Sequence, residues 1–353
     1  MRFVHIADLH LDMPQIRLRG NKELSKKRKM EQKLAFNKVI DYIKQNDVKL
    51  LFISGDLFEQ KYVEDDTIKF LIKSFKDISD TQVFVSPGNH DPLIKNSAYN
   101  LFEFPNNVYI FGKELGKYQV GNICIYGNGF DNYEINSLDY KDIKLDNKCI
   151  NVLVTHGTLN GNSKKYNDIK EKELLKFDYV ALGHIHMPKI DDSNIIYPGS
   201  LTSCGFDEPG VHGMCVGEIN DEVIIENASD RKSLIQYDFI QVDDTQYETL
   251  TVDITNYSSI VEIIDKLNLN NNFYKIILEG IRNVDVSKLK ESLLLSNEKI
   301  CAIIDNTHYE DDYEKISKQD TLKGIFVRNM LDEMKQSPEK KEIIMKAMEY
   351  VLH

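Results

Sequence analysis

Asp8 and His10 stand two residues apart at the end of a short apolar run, Phe3-Val4-His5-Ile6. In extended backbone, residues i and i+2 project the same way. A carboxylate oxygen and an imidazole nitrogen are therefore offered together, as one divalent cation requires. The pair alone is common, and it gains meaning from similar residues at the ends of later apolar runs. Asp56 ends the apolar run 48–53, and Asn89 and His90 come after the run 82–85. His156 comes after 150–154, and His184 and His186 after 179–182. Seven of these residues, Asp8, His10, Asp56, Asn89, His156, His184 and His186, suffice for two cations. The simplest allocation puts Asp8, His10 and His186 on one ion and Asn89, His156 and His184 on the other, with Asp56 as the bridge. Imidazole and oxygen donors without thiolate suit Mn, Fe or Zn and are poor for Ca or Mg alone. Two such ions, about 3.5–4 Å apart, acidify a shared water and clamp a phosphate for in-line attack. No protein nucleophile is then needed. His90 neighbours a ligand without being one, and is the candidate catalytic donor of a hydrogen bond or proton to the phosphate or leaving oxygen.

Any one of these histidines, taken singly, reads as an ordinary loop or core residue. Five of the nine in the chain stand at strand ends beside Gly, Asp or Asn, and that pattern as a set points to a metal centre. His5 has the opposite strand parity to the ligand pair, which suits packing or hydrogen bonding behind the ligands.

The elements that must position these residues alternate β-α-β-α-β through residue 85, which indicates a layered α/β architecture. A first helix begins near Ser25, with Met30, Leu34, Ile40 and Ile43 at approximately helical spacing, and a second carries Ile68, Leu71, Ile72, Phe75 and Ile78 on one stripe. Further strands are expected at 108–111, 123–126, 150–154, 179–182 and 195–197, with a hairpin across 214–225. In open α/β sheets, sites lie beyond the carboxyl ends of strands, where all the candidate ligands fall. A connector near 228–233 closes a first domain of residues 1–230. Residues 236–305 form a small α+β module with strands at 237–242, 249–254, 274–278 and 299–304 and helices at 260–267 and 286–295. Residues 306–353 are helical and highly charged, broken at Ser337-Pro338.

From Arg17 to Lys29 the chain carries seven basic residues (Arg17, Arg19, Lys22, Lys26, Lys27, Arg28, Lys29) against one acid, Glu23. The run reads either as a solvated helix face or as a phosphate-backbone contact, through Arg17, Arg19, Lys26, Lys27 and Arg28. The formal net charge of −12 disfavours indiscriminate nucleic-acid binding by the whole surface. Five dispersed cysteines without a Cys-x-x-Cys pair argue against a disulfide framework or thiolate zinc site and fit a reducing cytoplasm. No window reaches the roughly 18 apolar residues of a membrane span, and no signal-peptide pattern opens the chain.

Asp8-x-His10, Gly55-Asp56, Gly88-Asn89-His90-Asp91, Thr155-His156-Gly157 and Gly183-His184-Ile185-His186 resemble the complete signature of calcineurin-like metallophosphoesterases. Ala7-Asp8-Leu9-His10-Leu11, Gly55-Asp56-Leu57-Phe58, Tyr197-Pro198-Gly199-Ser200 and Phe206-Asp207-Glu208-Pro209-Gly210 resemble the double-strand-break repair nucleases among them, the SbcD and YhaO-like branch. The resemblance implies a layered β-sandwich flanked by helices, with 236–305 as a capping domain and the C-terminal helices as an ATPase-docking segment; the residues of 306–353 alone fit a structural tail packed on its own domain equally well. It further implies a Mn-dependent DNA exonuclease or endonuclease, usually homodimeric, working on DNA with an SbcC-like coiled-coil ATPase. One position departs. Some nucleases of this branch carry a His three residues after the bridging Asp, where this chain has Glu59, which puts exonuclease efficiency or directionality in doubt. The other reading keeps the chemistry and changes the substrate to a small phosphodiester or phosphomonoester, such as a cyclic nucleotide.

Overall fold

Alternation along the first strand sets the layers. In the computed structural model, which describes residues 1–15, 18, 22–136, 138–161, 165–191, 193–223, 225, 231 and 234–352, β1 (Arg2–Ile6) turns Phe3 to one face and Val4 and Ile6 to the other. Helix α1 (Lys22–Gln45) comes next, then β2 (Leu50–Ile53), α2 (Asp65–Lys76), β3 (Gln82–Val85), a single turn α3 (Ala98–Leu101) and β4 (Val108–Ile110). β1 to β4 are parallel. The chain then builds a second sheet from β5 (Gly116–Val120), β6 (Ile123–Gly127) and β7 (Ile150–His156). The short β8 (Thr158–Leu159), β9 (Asp168–Ile169) and α4 (Glu171–Leu174) precede β10 (Tyr179–Gly183) and β11 (Ile195–Ile196). β12 (Gly213–Ile219) returns to the first sheet antiparallel to β1, and β13 (Ile235–Gln241) pairs antiparallel with β12. The sheet orders are β13-β12-β1-β2-β3-β4 and β11-β10-β7-β6-β5.

The two sheets pack face to face. Phe3, Leu50, Phe52 and Phe84 of the first meet Ile125, Val152, Val154, Tyr179 and Ala181 of the second in one buried cluster. Opposite faces are covered by helices or loops: Val4, Leu51, Ile53 and Val85 by Phe36, Val39, Leu71 and Phe75, and Leu153, Val180 and Leu182 by Tyr140, Leu174 and Phe177. A strand buried on both faces reads as a continuous apolar run, as β2 does. Each such side chain taken out of water is worth roughly 1.5–3 kcal/mol. The result is the layered β-sandwich flanked by helices that the motifs imply.

Several local expectations are corrected. The strand expected at 237–242 in the small module is β13, a member of the first sheet, so the first compact unit runs Met1–Tyr247 and the second Glu248–His353. The hairpin expected across 214–225 is a wider one, β12 turning to β13. β5 is an additional edge strand with polar Lys117 and Gln119, joined to β6 by Gly121-Asn122, with Gly121 at φ 57°. Met30 and Leu34, expected on the buried stripe of α1, are exposed. The buried face is instead Leu24, Arg28, Gln32, Ala35, Phe36, Val39, Ile40 and Ile43.

In the second unit, β14 (Tyr247–Asp253), β15 (Phe273–Ile281) and β16 (Ile300–His308) form a sheet in that order, with α5 (Ile260–Leu267) and α6 (Val286–Ser296) contributing Ile263, Leu289 and Leu293 to its core. Ser259 and Asp285 cap these helices through side-chain acceptors. The charged C-terminal region forms α7 (Tyr313–Ser317), α8 (Leu322–Gln336) and α9 (Lys341–Leu352), with Pro338 opening the 3-10 turn between the last two.

Candidate metal centre

The carboxyl ends of β1, β2 and β3 in one sheet and of β7 and β10 in the other deliver every expected ligand to one place. Three ligands leave their strands in left-handed backbone: Asp8 (φ 52°), His10 (48°) and Asp56 (53°), while His184 has φ 100°. For non-glycine residues such conformations cost of order 1–3 kcal/mol each and persist only where the surroundings impose them. Here the loops are stitched together. Asp8 N donates to Gly55 O (3.1 Å) and His10 N to Asp56 O (2.9 Å). Asp91 accepts from the backbone N of Asp56 (3.0 Å), Leu57 (2.9 Å) and Gly88 (2.6 Å) and from Tyr99 Oη (2.7 Å). Burial and Asp56 push the Asp91 carboxyl up to about 6. Close approach needs glycine at Gly55 and Gly183: a Cβ would collide with the His156 ring at the first and with the Ser54 carbonyl oxygen at the second.

Among the described residues, the donor atoms of the expected ligands gather in the groups Asp8/His10/His186 and Asp56/His156/His184, and His90 also joins His10 and Asp56, each set within 4.8 Å. In the first, His10 Nε2 lies 3.1 Å from His186 Nε2. In the second, Asn89 Oδ1 lies 3.0 Å from His156 Nε2 and 3.1 Å from His184 Nδ1. Asp56 Oδ2 stands between the groups, 3.7 Å from His10 Nε2 and 3.4 Å from His156 Nε2. Asp8 accepts from His184 N at 3.0 Å. Nitrogen lone pairs and carboxylate oxygens converging without a mutual donor for each contact are what a divalent cation satisfies. The residues therefore fit a divalent metal.

The outward nitrogens are held as well. His10 Nδ1 faces Glu59 Oε1 (2.9 Å), His186 Nδ1 faces Glu208 Oε1 (2.6 Å) and His156 Nδ1 faces Ser54 O (2.8 Å). Such partners fix ring orientation and leave the other nitrogen for the metal. Electrostatics follow the packing. Burial raises the Asp8 carboxyl. At Asp56 burial is outweighed by His156 and His10, which hold it below the ordinary range. At His156 burial is outweighed by Asp56 and Asp8, and the imidazole reaches about 9; His186, with Glu208 and Asp8, also reaches about 9. Burial and His156 push His184 down to about 4. Glu59, despite burial, is drawn to about 2 by His10 and His90.

His90 sits at the rim with its ring partly exposed, its N donating to Asp56 Oδ1 (2.8 Å) and its Nδ1 2.9 Å from Glu59 Oε2. The basic segment is divided. Arg17 and Arg19 lie outside the described residues, and Lys26 and Lys27 are exposed on α1. Arg28, expected at a phosphate, is instead buried, its guanidinium on Asp243 (2.7 Å) and Ser203 O (2.7 Å). The reason is its phase on α1, which points it inward. Glu208 has no role that its motif discloses, and only its approach to His186 reveals one. His5 bonds Ser54 Oγ and Tyr179 Oη behind the ligands and touches no ligand side chain by these bonds.

A family model for calcineurin-like phosphoesterase matches residues 1–188. The chain is similar to the uncharacterized metallophosphoesterase YhaO of Bacillus subtilis, 27% identical over 287 residues that cover 75% of this chain and 67% of that one. It is 23% identical to the SbcD component of the nuclease SbcCD of Staphylococcus epidermidis over 94% of both chains. It is also 23% identical to the DNA double-strand break repair protein Mre11 of Methanopyrus kandleri, over 69% of this chain and 57% of that one. Among the described residues, no helix is long and apolar enough to cross a membrane.

Proposed function

Since the chain belongs to the calcineurin-like phosphoesterase family, and is a metal-dependent hydrolase of phosphoester bonds, we propose that its substrate is DNA and that it is a two-metal repair nuclease. The observation that carries the two-metal part is the placement of Asp56 Oδ2 between the two donor groups. Similarity to a nuclease component along nearly the whole of both chains supports the DNA part.

Asp8, His10 and His186 would hold one ion and Asn89, His156 and His184 the other, with Asp56 available to both. Divalent ions, Mn by preference with Fe or Zn as alternatives, supply Lewis acidity toward phosphoryl oxygens and acidify water. The protein's own part is to orient. Asp91 locks the loops that carry Asp56 and Asn89, and His90 presents its free edge to a phosphoryl or leaving oxygen. Exposed Lys26 and Lys27 lie on the helix that comes after the first ligand loop and bear on the DNA backbone. The working assembly is a homodimer with an SbcC-like coiled-coil ATPase, which docks on the C-terminal helices, where Leu322, Ile343 and Tyr350 expose apolar surface.

The test is incubation with Mn and end-labelled duplex, hairpin and single-stranded DNA, with and without a co-encoded coiled-coil ATPase. Cleavage is expected, and intact linear and hairpin DNA under all conditions overturns the proposal. The net charge of −12 favours a second reading, a small phosphodiester such as a cyclic nucleotide. That reading predicts turnover of the small ester with little response to salt, whereas DNA binding weakens steeply as salt rises.

A further inference from the structure

We propose that Glu59 is a positioning residue that couples one cation site to the phosphate donor, its single carboxylate holding His10 and His90 at once. Glu59 Oε1 lies 2.9 Å from His10 Nδ1, and His90 Nδ1 lies 2.9 Å from both Oε1 and Oε2. The two rings meet edge to face with centroids 4.7 Å apart, so neither turns without disturbing the other. The residue that joins them is itself fixed. Glu59 is buried, its N donates to Leu11 O (2.9 Å), and Gln60 N donates to His90 O (2.9 Å). The 59–60 segment thus ties the loop after β1 to the loop after β3 by backbone as well as side chain.

A carboxylate behind a ligating imidazole commonly changes metal affinity 10–100-fold. His186 has its own carboxylate, Glu208, but that one touches no rim residue in the bonds described. Among the described residues, Glu59 alone spans a ligand and a rim histidine. A Glu at this position therefore does not stand in for a proton donor. It orders the donor, His90, that the neighbouring loop supplies.

The inference rests on the two-ion reading, and the experiment separates them. Mn binding to the full-length protein is followed by calorimetry, and turnover of bis(p-nitrophenyl) phosphate at saturating Mn is measured for wild type, Glu59→Gln, His90→Ser and the double variant. Wild type binding fewer than two Mn would overturn the two-ion reading itself. Given two, Glu59→Gln is expected to weaken one of the two binding events at least about 10-fold and to lower kcat about 10-fold or more. His90→Ser is expected to keep both ions and lower kcat roughly 10²-fold. In the His90→Ser background, Glu59→Gln is expected to weaken Mn again but leave kcat unchanged. Unaltered Mn affinity and kcat in Glu59→Gln, or an equal kcat loss in both backgrounds, overturns the coupling. If Glu59→Gln does not fold, Glu59→Asp replaces it. Its shorter carboxylate cannot reach both rings, so Mn affinity or kcat must fall about 10-fold, and constancy of both refutes the proposal.

Discussion

Asp56 is the residue whose loss should cost most, because its Oδ2 stands between the donor groups. Asp56→Asn keeps the shape and removes the charge shared by both sites. Mn-dependent hydrolysis of bis(p-nitrophenyl) phosphate should fall to background, and surviving turnover would contradict the bridging assignment. A different residue contributes to acid sensitivity. His5 is fully buried between Ser54 Oγ (2.8 Å) and Tyr179 Oη (3.1 Å), and burial lowers its pKa from 6.5 to about 3. The unfolded chain takes up this proton near pH 6.5, the folded chain only near 3. Stability is therefore full above pH 6.5 and declines as pH falls toward 3, by up to about 1.4 kcal/mol per unit. Between pH 7.5 and 5, His5 should account for about 2 kcal/mol of lost stability. His5→Gln in metal-free buffer should shrink that drop in urea unfolding, and an unchanged drop would assign the acid sensitivity elsewhere. At this scale the convergence of the candidate ligands was legible because chemistry at strand ends leaves a pattern of Asp, Asn and His beside Gly. The contacts of Glu59 and Glu208 with the imidazoles were not, although both residues stood in the motifs, since a carboxylate that orients a ring acts across folded space and has no spacing signature along the chain.

Helix α1 shows how a stripe can be right at one end and wrong at the other: Ile40 and Ile43 are buried as expected, Met30 and Leu34 are exposed. A stripe through Met30 and Leu34 uses apolar residues at helical spacing, but the buried face runs through Arg28 and Gln32 instead. Polar residues on a buried face are invisible to a hydrophobicity pattern unless their partners are known. Arg28's partner, Asp243, is 215 positions away. Arg28 should therefore behave as a structural residue. Arg28→Ala leaves Asp243 buried without its cation and should cost about 3–5 kcal/mol in urea unfolding. Arg28→Met with Asp243→Leu should recover much of that loss. If Arg28→Ala is near wild type in stability but weak on DNA, the residue belongs to the nucleic-acid surface after all. The same limit explains β13. Its apolar alternation is that of any strand, and only the pairing of Gly213–Ile219 with Gln241–Ile235 places it in the first sheet. The parallel strands β2, β3, β7 and β10 were legible because burial on both faces writes an unbroken apolar run.

For the whole molecule the proposed DNA substrate raises the question of how a chain of net charge −12 would approach a polyanion. Its cleft is itself acidic: Asp56, Glu59 and Glu208 are all held below their ordinary pKa by the imidazoles around them. Divalent ions, when bound there, would reverse the local sign, while Lys26 and Lys27 on α1 offer positive charge outside the ligand loops. DNA affinity should therefore require both. His90→Ser is suited to the measurement, because it is expected to retain metal while cleaving slowly. Its affinity for a duplex, followed by fluorescence anisotropy in Mn, should fall linearly on a log–log plot with salt and collapse on chelation. Each phosphate contact contributes about 0.9 to the slope, so Lys26→Gln with Lys27→Gln should flatten it by up to roughly 2. Unfolding in EDTA serves as the control that chelation has not melted the fold. A slope near zero, with affinity indifferent to the two lysines, would assign the metal centre to a small phosphodiester. The negative surface would then be an ordinary means of staying dispersed rather than a barrier that ions and a short basic helix face must overcome.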